Sequence, residues 1–270
     1  MNEYVAANRR LWDAWTPYNV ASRFYDVEGF KAGRRARATL DDLEIALVGD
    51  VTGKSLLHLQ CHFGMDTIGW AQRGATVTGV DFSPAAIAAA RALAAEMGVP
   101  ATFVESDLYA TPHDLDGRFD VVFTSHGVLG WLPDLEGWAQ VIARCLAPGG
   151  RFCVIEAHPF LMTIDEHRAD RELRVTYPYF QGAEPIREEY RGCYAAPDAP
   201  IDSVEHVWVH PLSGILGALL RAGLRLESFA EYPFLGWRFI PWMEARPDGT
   251  WALPGAPLPL MFSLTATKPR

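Results

Sequence analysis

Two short stretches of this chain hold side chains able to do chemistry. In the first, an apolar run, Val77 to Val80, ends on Asp81, and the turn Gln60-Cys61-His62-Phe63-Gly64 lies upstream of it. An acid at the end of a second strand, about 20 residues after a turn that opens a helix, is placed to grip a ribose diol. One carboxylate can accept from both hydroxyls, so this stretch points to a nucleoside cofactor. In the second, Ser125 and His126 follow the apolar run Phe119–Phe123. A neutral imidazole there can take a proton from an attacking hydroxyl or amine. The same histidine can equally line a pocket or bond a backbone carbonyl.

These residues need elements to hold them. A helical pattern over the first 16 residues is expected to stop at Pro17. A second helix is expected from about Phe30 to Val48, with Leu40, Leu43, Ile45 and Leu47 inward. Alternating units follow: a strand before Gln60 and a helix over Met65–Arg73, then a strand to Asp81 and an alanine-rich helix from Pro84 capped by Ser83. A third strand covers Ala101–Val104, a fourth Phe119–Phe123, a helix Asp134–Leu146, and a fifth strand Arg151–Ile155 after Ala147-Pro148-Gly149-Gly150. Such alternation with short links means a parallel sheet in a three-layer sandwich. After Glu156 the alternation lapses. The stretches Ile186–Tyr194 and Ser203–Val209 read as a hairpin pair in an inserted cap. Helix Leu212–Ala222, strand Leu224–Tyr232, an aromatic proline-rich loop and a last strand Leu260–Lys268 complete the chain.

The 270 residues, 49% of them hydrophobic, suffice for one large α/β domain with an insertion. A net charge of −9 argues against nucleic acid or an anionic membrane as a general partner. Four scattered cysteines, Cys61, Cys145, Cys153 and Cys193, form no CxxC pair, so neither a zinc site nor a disulfide framework is expected. No apolar run has signal-peptide or transmembrane character, which fits a cytoplasmic protein. A homodimer is compatible with all of this.

The order of motifs resembles the class I S-adenosylmethionine-dependent methyltransferases. The resemblance rests on SLLHLQCHFG, VTGVDFSPAAIAAARA, ESDLY, FDVVFTSHGVLGWLPD and LAPGGRFCVIE, and covers about residues 50–160 in detail. It implies an αβα sandwich with a seven-stranded, mostly parallel sheet whose last strand enters antiparallel, plus an inserted α+β cap. The division it suggests is an N-terminal helical lid over 1–49, a core over 50–156 and 211–270, and the cap over 157–210. One departure stands out. The family's first loop reads acidic-x-Gly-x-Gly-x-Gly, whereas this chain has His58-Leu59-Gln60-Cys61-His62-Phe63-Gly64, so only the last glycine remains. Bare backbone lets a ligand approach closely. Here Gln60 and His62 must make the turn with side chains attached, and could offer N–H groups to the methionine carboxylate instead.

The resemblance implies roles residue by residue. The stretch Gln60, Cys61, His62 and Gly64 would face the methionine portion of the cofactor, and Tyr25 would touch the same end. Phe82 would pack on the adenine face. Ser106, Asp107 and Leu108 would hold the adenine, with Asp107 accepting from its amino group. Ser125 would line the site, and His126 would lie beside the reactive methyl as a candidate base. Asp66 reads as a plain first-turn acid. In the cap, Tyr177, Tyr179, Tyr190, His206 and Trp208 are candidate substrate residues; His206, Trp208 and His210 alternate onto one strand face.

The expectation is therefore methylation of a small molecule on oxygen or nitrogen with S-adenosylmethionine as cofactor, without a metal. Two alternatives remain at this point. An NAD-dependent oxidoreductase would need a G-x-G-x-x-G turn, which QCHFG is not. A non-catalytic cofactor-binding protein would bind without transfer.

Overall fold

The computed structural model describes residues 2–34, 40–165, 170–180 and 182–270. Its centre is a seven-stranded sheet. In chain order the strands are β1 (Ser55–Leu59), β2 (Thr76–Asp81), β3 (Thr102–Glu105), β4 (Phe119–Thr124), β5 (Leu146–Ala157), β8 (Arg225–Tyr232) and β11 (Met261–Thr267). In space they run β3-β2-β1-β4-β5-β11-β8. The pairs among β1 to β5 are parallel, and β11 lies antiparallel between β5 and β8. The strand order switches sides between β1 and β4, so the crevice over their carboxyl ends is the place for a ligand.

Period-two alternation divides the strands between two helical layers. Leu57, Leu59, Val122, Phe152 and Leu264 pack with Trp138 and Ile142 of α6 (Leu135–Cys145) and Ile215 and Leu219 of α7 (Leu212–Arg221). Leu56, Val77, Val121 and Phe123 pack with Trp70 of α4 (Met65–Gln72) and Val48 of α3 (Asp42–Val48). Beside them, Ile87, Ala90 and Leu93 of α5 (Pro84–Met97) close over Phe103 of β3.

The first helix departs from expectation. Helix α1 spans Glu3–Ala21 and carries Pro17 inside it. An interior proline removes one backbone bond and costs about 3 kcal/mol. Tertiary anchors offset that cost on both sides of Pro17. Trp15 is buried and its Nε1 donates to Ser203 Oγ at 2.8 Å; Asn19 is buried and its Oδ1 accepts from Cys193 Sγ at 3.4 Å. The helix expected over 30–48 is also replaced, in the described part, by α2 (Val27–Lys31) and α3, while residues 35–39 lie outside the described residues. The break follows local capping. Asp26 sits in the left-handed region at φ 41° and caps α2, and Asp41 starts α3 in a reciprocal capping box with Glu44. Ser83 caps α5 as expected, its side chain accepting from Ala86 N at 3.0 Å.

Within 157–210 the described residues form one hairpin, β6 (Ile186–Arg191) with β7 (Asp202–Val207), and one 3-10 turn, Leu161–Thr163. The late loop adds the two-residue strands β9 (Glu244–Ala245) and β10 (Trp251–Ala252). Helix α1 packs on α5 and on β7, crossing the carboxyl edge of the sheet. No helix among the described residues is long and apolar enough to cross a membrane. The four cysteines are free and buried.

Candidate functional site

The β1 loop keeps a glycine-loop conformation with two of its glycines replaced. Gln60 has φ 58° and His62 φ 51°, both in the left-handed region, and Gly64 follows at φ 82°. A non-glycine residue held there stores on the order of 1–3 kcal/mol of strain. At Gly64 the space is also closed, because a Cβ would meet the Phe103 ring at 2.7 Å. The loop is tied down by its neighbours. Cys61 N donates to Val80 O at 3.0 Å, and Gln60 Nε2 donates to Val128 O at 3.1 Å. The Gln60 amide thus reaches the loop after β4, while its Oε1 is buried without a hydrogen-bond partner among the described residues. Burial pushes the Cys61 thiol pKa well up, which keeps it in the thiol form that is the poorer nucleophile.

Asp81 sits at the centre of this cradle, 8% exposed. Its Oδ2 accepts from His62 N at 2.8 Å and its Oδ1 from Ser83 N at 2.9 Å. Burial raises its pKa to about 6, against the pull of those N–H groups. Each oxygen retains a further lone-pair direction, which is what a diol requires. Asp107 accepts from Tyr109 N at 2.9 Å, Leu108 is buried beside it, and Ser106 N donates to Asp81 O at 2.9 Å. The loop after β3 and the end of β2 are therefore joined by backbone; Phe82, next to Asp81, is half-buried.

Aromatic rings cover the loop from above. The His62 ring is 5.0 Å from that of Trp12, 5.6 Å from Tyr25 and 4.5 Å from Phe63. Burial lowers its pKa to about 3, so it is a neutral ring at physiological pH. The Tyr25 hydroxyl makes a short hydrogen bond to that of Tyr194, and burial raises both.

The second cluster gathers at the end of β4. Ser125 Oγ lies 3.3 Å from His58 Nε2 and 3.4 Å from Asp66 Oδ2. His58 replaces the family's acid in β1. It is buried, bonded through Nδ1 to Thr67 Oγ1 at 2.9 Å, and lowered to about 3 by burial. His126 Nε2 is 3.5 Å from Glu44 Oε1, and its ring stands edge-on to Trp237 at 5.4 Å. Burial lowers the His126 pKa, while Glu156 and Asp41 push it up. Asp66 is more than a first-turn acid. Burial and the nearby Glu44 carboxylate raise its pKa well above the usual range. Asp41, Glu44 and His126 offer ligand-type atoms within 4.8 Å of one another.

The expected substrate residues are spread over the cap rather than gathered at His126. Tyr190 OH donates to Glu205 Oε2 at 3.0 Å and its ring faces Trp15. His206 packs on Tyr4, and Trp208 is buried with Nε1 donating to Ala183 O at 3.0 Å. Tyr179 OH accepts from Leu212 N at 3.1 Å, and Tyr177 N donates to Thr163 O at 3.0 Å. Strand β7 ends at Val207, so the alternation expected through His210 stops there. His210 Nε2 lies instead 2.7 Å from Leu132 O.

Four residues at the site escaped the sequence reading. Asp13 of α1 accepts from Ser83 Oγ at 2.6 Å and from Ala85 N at 3.2 Å, adding a second acceptor at the α5 start. Asp41 and Glu44 carried a signal, the D-x-x-E capping box before an apolar run. Glu156 carried one as well, a lone acid closing the apolar run Cys153-Val154-Ile155. It accepts from the backbone N–H groups of Gly127, Val128, Leu129 and Ala157 at 2.6–3.0 Å, and so fixes the loop that follows His126.

Comparison with known proteins agrees with this geometry. Residues 56–150 match the methyltransferase domain family. A ubiquinone biosynthesis O-methyltransferase of Photorhabdus laumondii is 29% identical over 150 residues, 55% of this chain and 59% of that protein. Another of the same description, from Cronobacter sakazakii, is 32% identical over 149 residues, 55% of this chain and 58% of that protein. The chain thus spans under two thirds of the length of these relatives. Among solved structures, an S-adenosylmethionine-dependent methyltransferase from Mesorhizobium loti superposes with a TM-score of 0.53 at 19% identity, over 82% of this chain and 94% of that one. Residues 56–150 thus carry the methyltransferase domain match, and the sheet order and strand directions are those of the fold that this chain shares with S-adenosylmethionine-dependent methyltransferase structures.

Proposed function

We propose that the chain transfers a methyl group from S-adenosylmethionine to a hydroxyl of a small molecule. The observation that carries this reading is the β1 loop, which holds left-handed backbone at Gln60 and His62 and turns the His62 N–H onto Asp81. Strain of this kind persists where a ligand needs the shape. The donor fits the residues present. Asp81 has spare acceptor directions for a ribose diol. The buried Gln60 Oε1 has no partner among the described residues and suits an ammonium, in place of the carboxylate contact expected from the sequence. Leu108 offers an apolar wall and Asp107 a carboxylate to an adenine. When bound, the donor supplies an electron-poor methyl carbon whose bond to sulfur breaks as a new carbon–oxygen bond forms.

The chain's own residues then align and deprotonate. Helix α1 and the β6–β7 hairpin cover the carboxyl edge, and the acceptor lies between them and the end of β4. His126 receives the acceptor proton, and the Trp237 ring shields it from water. Alignment supplies much of the rate in such an in-line displacement. A net charge of −9 favours a compact acceptor over nucleic acid, and the O-methyltransferase relatives favour oxygen. The test is calorimetry with S-adenosylmethionine followed by turnover on catechol and hydroquinone as probes. Micromolar binding lost in Asp81→Ala supports the reading; absence of binding to the wild-type chain refutes it.

A further inference from the structure

We infer that Glu44 is the positioning residue for His126, fixing which ring nitrogen carries the proton. The inference rests on the reading of His126 as the base. Glu44 is 2% exposed, and its two oxygens are used differently. Oε2 accepts from Asp41 N at 2.8 Å in the α3 capping box, whereas Oε1 faces His126 Nε2 at 3.5 Å. At that distance the pair is an electrostatic contact rather than a formed hydrogen bond, and a carboxylate, which only accepts, draws the proton of a neutral His126 to Nε2. That leaves Nδ1 unprotonated, and Nδ1 is buried without a hydrogen-bond partner among the described residues. Nδ1 is the atom that takes the acceptor's hydroxyl proton. The hydroxyl oxygen's electron pair then forms the bond to the methyl carbon, and the carbon–sulfur electrons stay on sulfur.

The other ionisable groups are consistent with this assignment. Asp41 caps the helix that carries Glu44, and Asp66 of α4, its pKa raised by burial and by the Glu44 carboxylate, accepts from Ser125 Oγ. Glu156 of β5 is engaged by four backbone N–H groups and favours a positive ring only at a distance.

Glu44→Gln separates this role from a structural one. Its amide oxygen can keep the cap to Asp41 N, which the capping box accepts from Gln as readily as from Glu. Its NH2 then points at His126 Nε2 and donates, driving the ring proton to Nδ1 and removing the base. The experiment is 15N NMR of imidazole-labelled protein at pH 7.5, with calorimetry and turnover on catechol. The expected results are Nε2–H in the wild type and Nδ1–H in Glu44→Gln. The variant should lose kcat by about 10²-fold or more with KM and donor affinity within threefold. Nδ1–H in the wild type overturns the inference without recourse to any variant. An unchanged tautomer or an unchanged kcat in Glu44→Gln overturns it too. Failure of the parent reading looks different: no donor binding, or full activity in His126→Ala.

Discussion

Asp81 and Glu156 occupy equivalent places, each a buried acid at the carboxyl end of a central strand, yet their oxygens are used in opposite ways. Asp81 takes one N–H on each oxygen and keeps acceptor capacity in hand. Glu156 takes four N–H groups, three of them from Gly127, Val128 and Leu129, and is 4% exposed. The first is available to a ligand; the second is saturated and serves the backbone. A buried carboxylate at a strand end is therefore not a binding residue by position alone, and its remaining acceptor capacity decides its role.

The sharpest way to break this contrast is Glu156→Gln. An amide turns donors toward N–H groups that need acceptors, so stability in urea should fall by about 3 kcal/mol. A loss under about 1 kcal/mol would put Glu156 in the same class as Asp81. Asp81→Ala should show the converse. Donor affinity should fall about 100-fold, while stability changes by no more than about 1.5 kcal/mol as two charge-assisted bonds go and an unfavourable buried charge goes with them. If the midpoint of unfolding moves more than the affinity, Asp81 is a clamp as well.

A smaller effect lies in pH. The folded Asp81 carboxyl is raised to about 6 from 3.8. Between those values the folded chain keeps a proton that the unfolded chain has released, so stability falls as pH rises through the window, by about 3 kcal/mol at most. Asp81→Asn should flatten that slope. Because diol hydroxyls donate to the ionised form, donor affinity should climb from pH 5 to pH 7 and then level off. Calorimetry showing the same affinity at both ends would refute the diol contact. Smallest of all is Gln60→Gly. Relief of left-handed strain and loss of the bond to Val128 oppose each other, leaving a net change under about 1 kcal/mol. Gln60→Val should cost about 2 kcal/mol, since a β-branched residue resists positive φ. Thermal melts of the pair measure the difference.

What was legible in the sequence is what local pattern controls. The apolar runs of β1 to β5, the cap at Ser83, the acid ending β2 and the hairpin of β6 with β7 all follow from neighbours within a few residues. The departures arise where distant parts meet. Pro17 reads as a stop, because the anchors at Ser203 and Cys193 that hold α1 past it lie over 170 residues away. The contact of Glu44 with His126 spans two layers, and no spacing rule announces it. Asp13 reads as a surface acid of a helix, yet it reaches the start of α5. The replaced glycines pointed to altered loop geometry, but Gln60 and His62 take the left-handed backbone that favours glycine, held by ties to Val80, Val128 and Asp81.

The Asn8 amide has one more consequence. Its Nδ2 donates to His206 O at 2.7 Å and its Oδ1 accepts from His206 N at 3.0 Å, so a side chain from α1 mimics a neighbouring strand along the rim of β7. Two portions of the polypeptide nearly 200 positions apart are thereby stapled into one body. Asn8→Ala should therefore unpair both the N–H and the C=O of His206 at once, loosening helix and hairpin together, which faster amide hydrogen exchange along β7 would register.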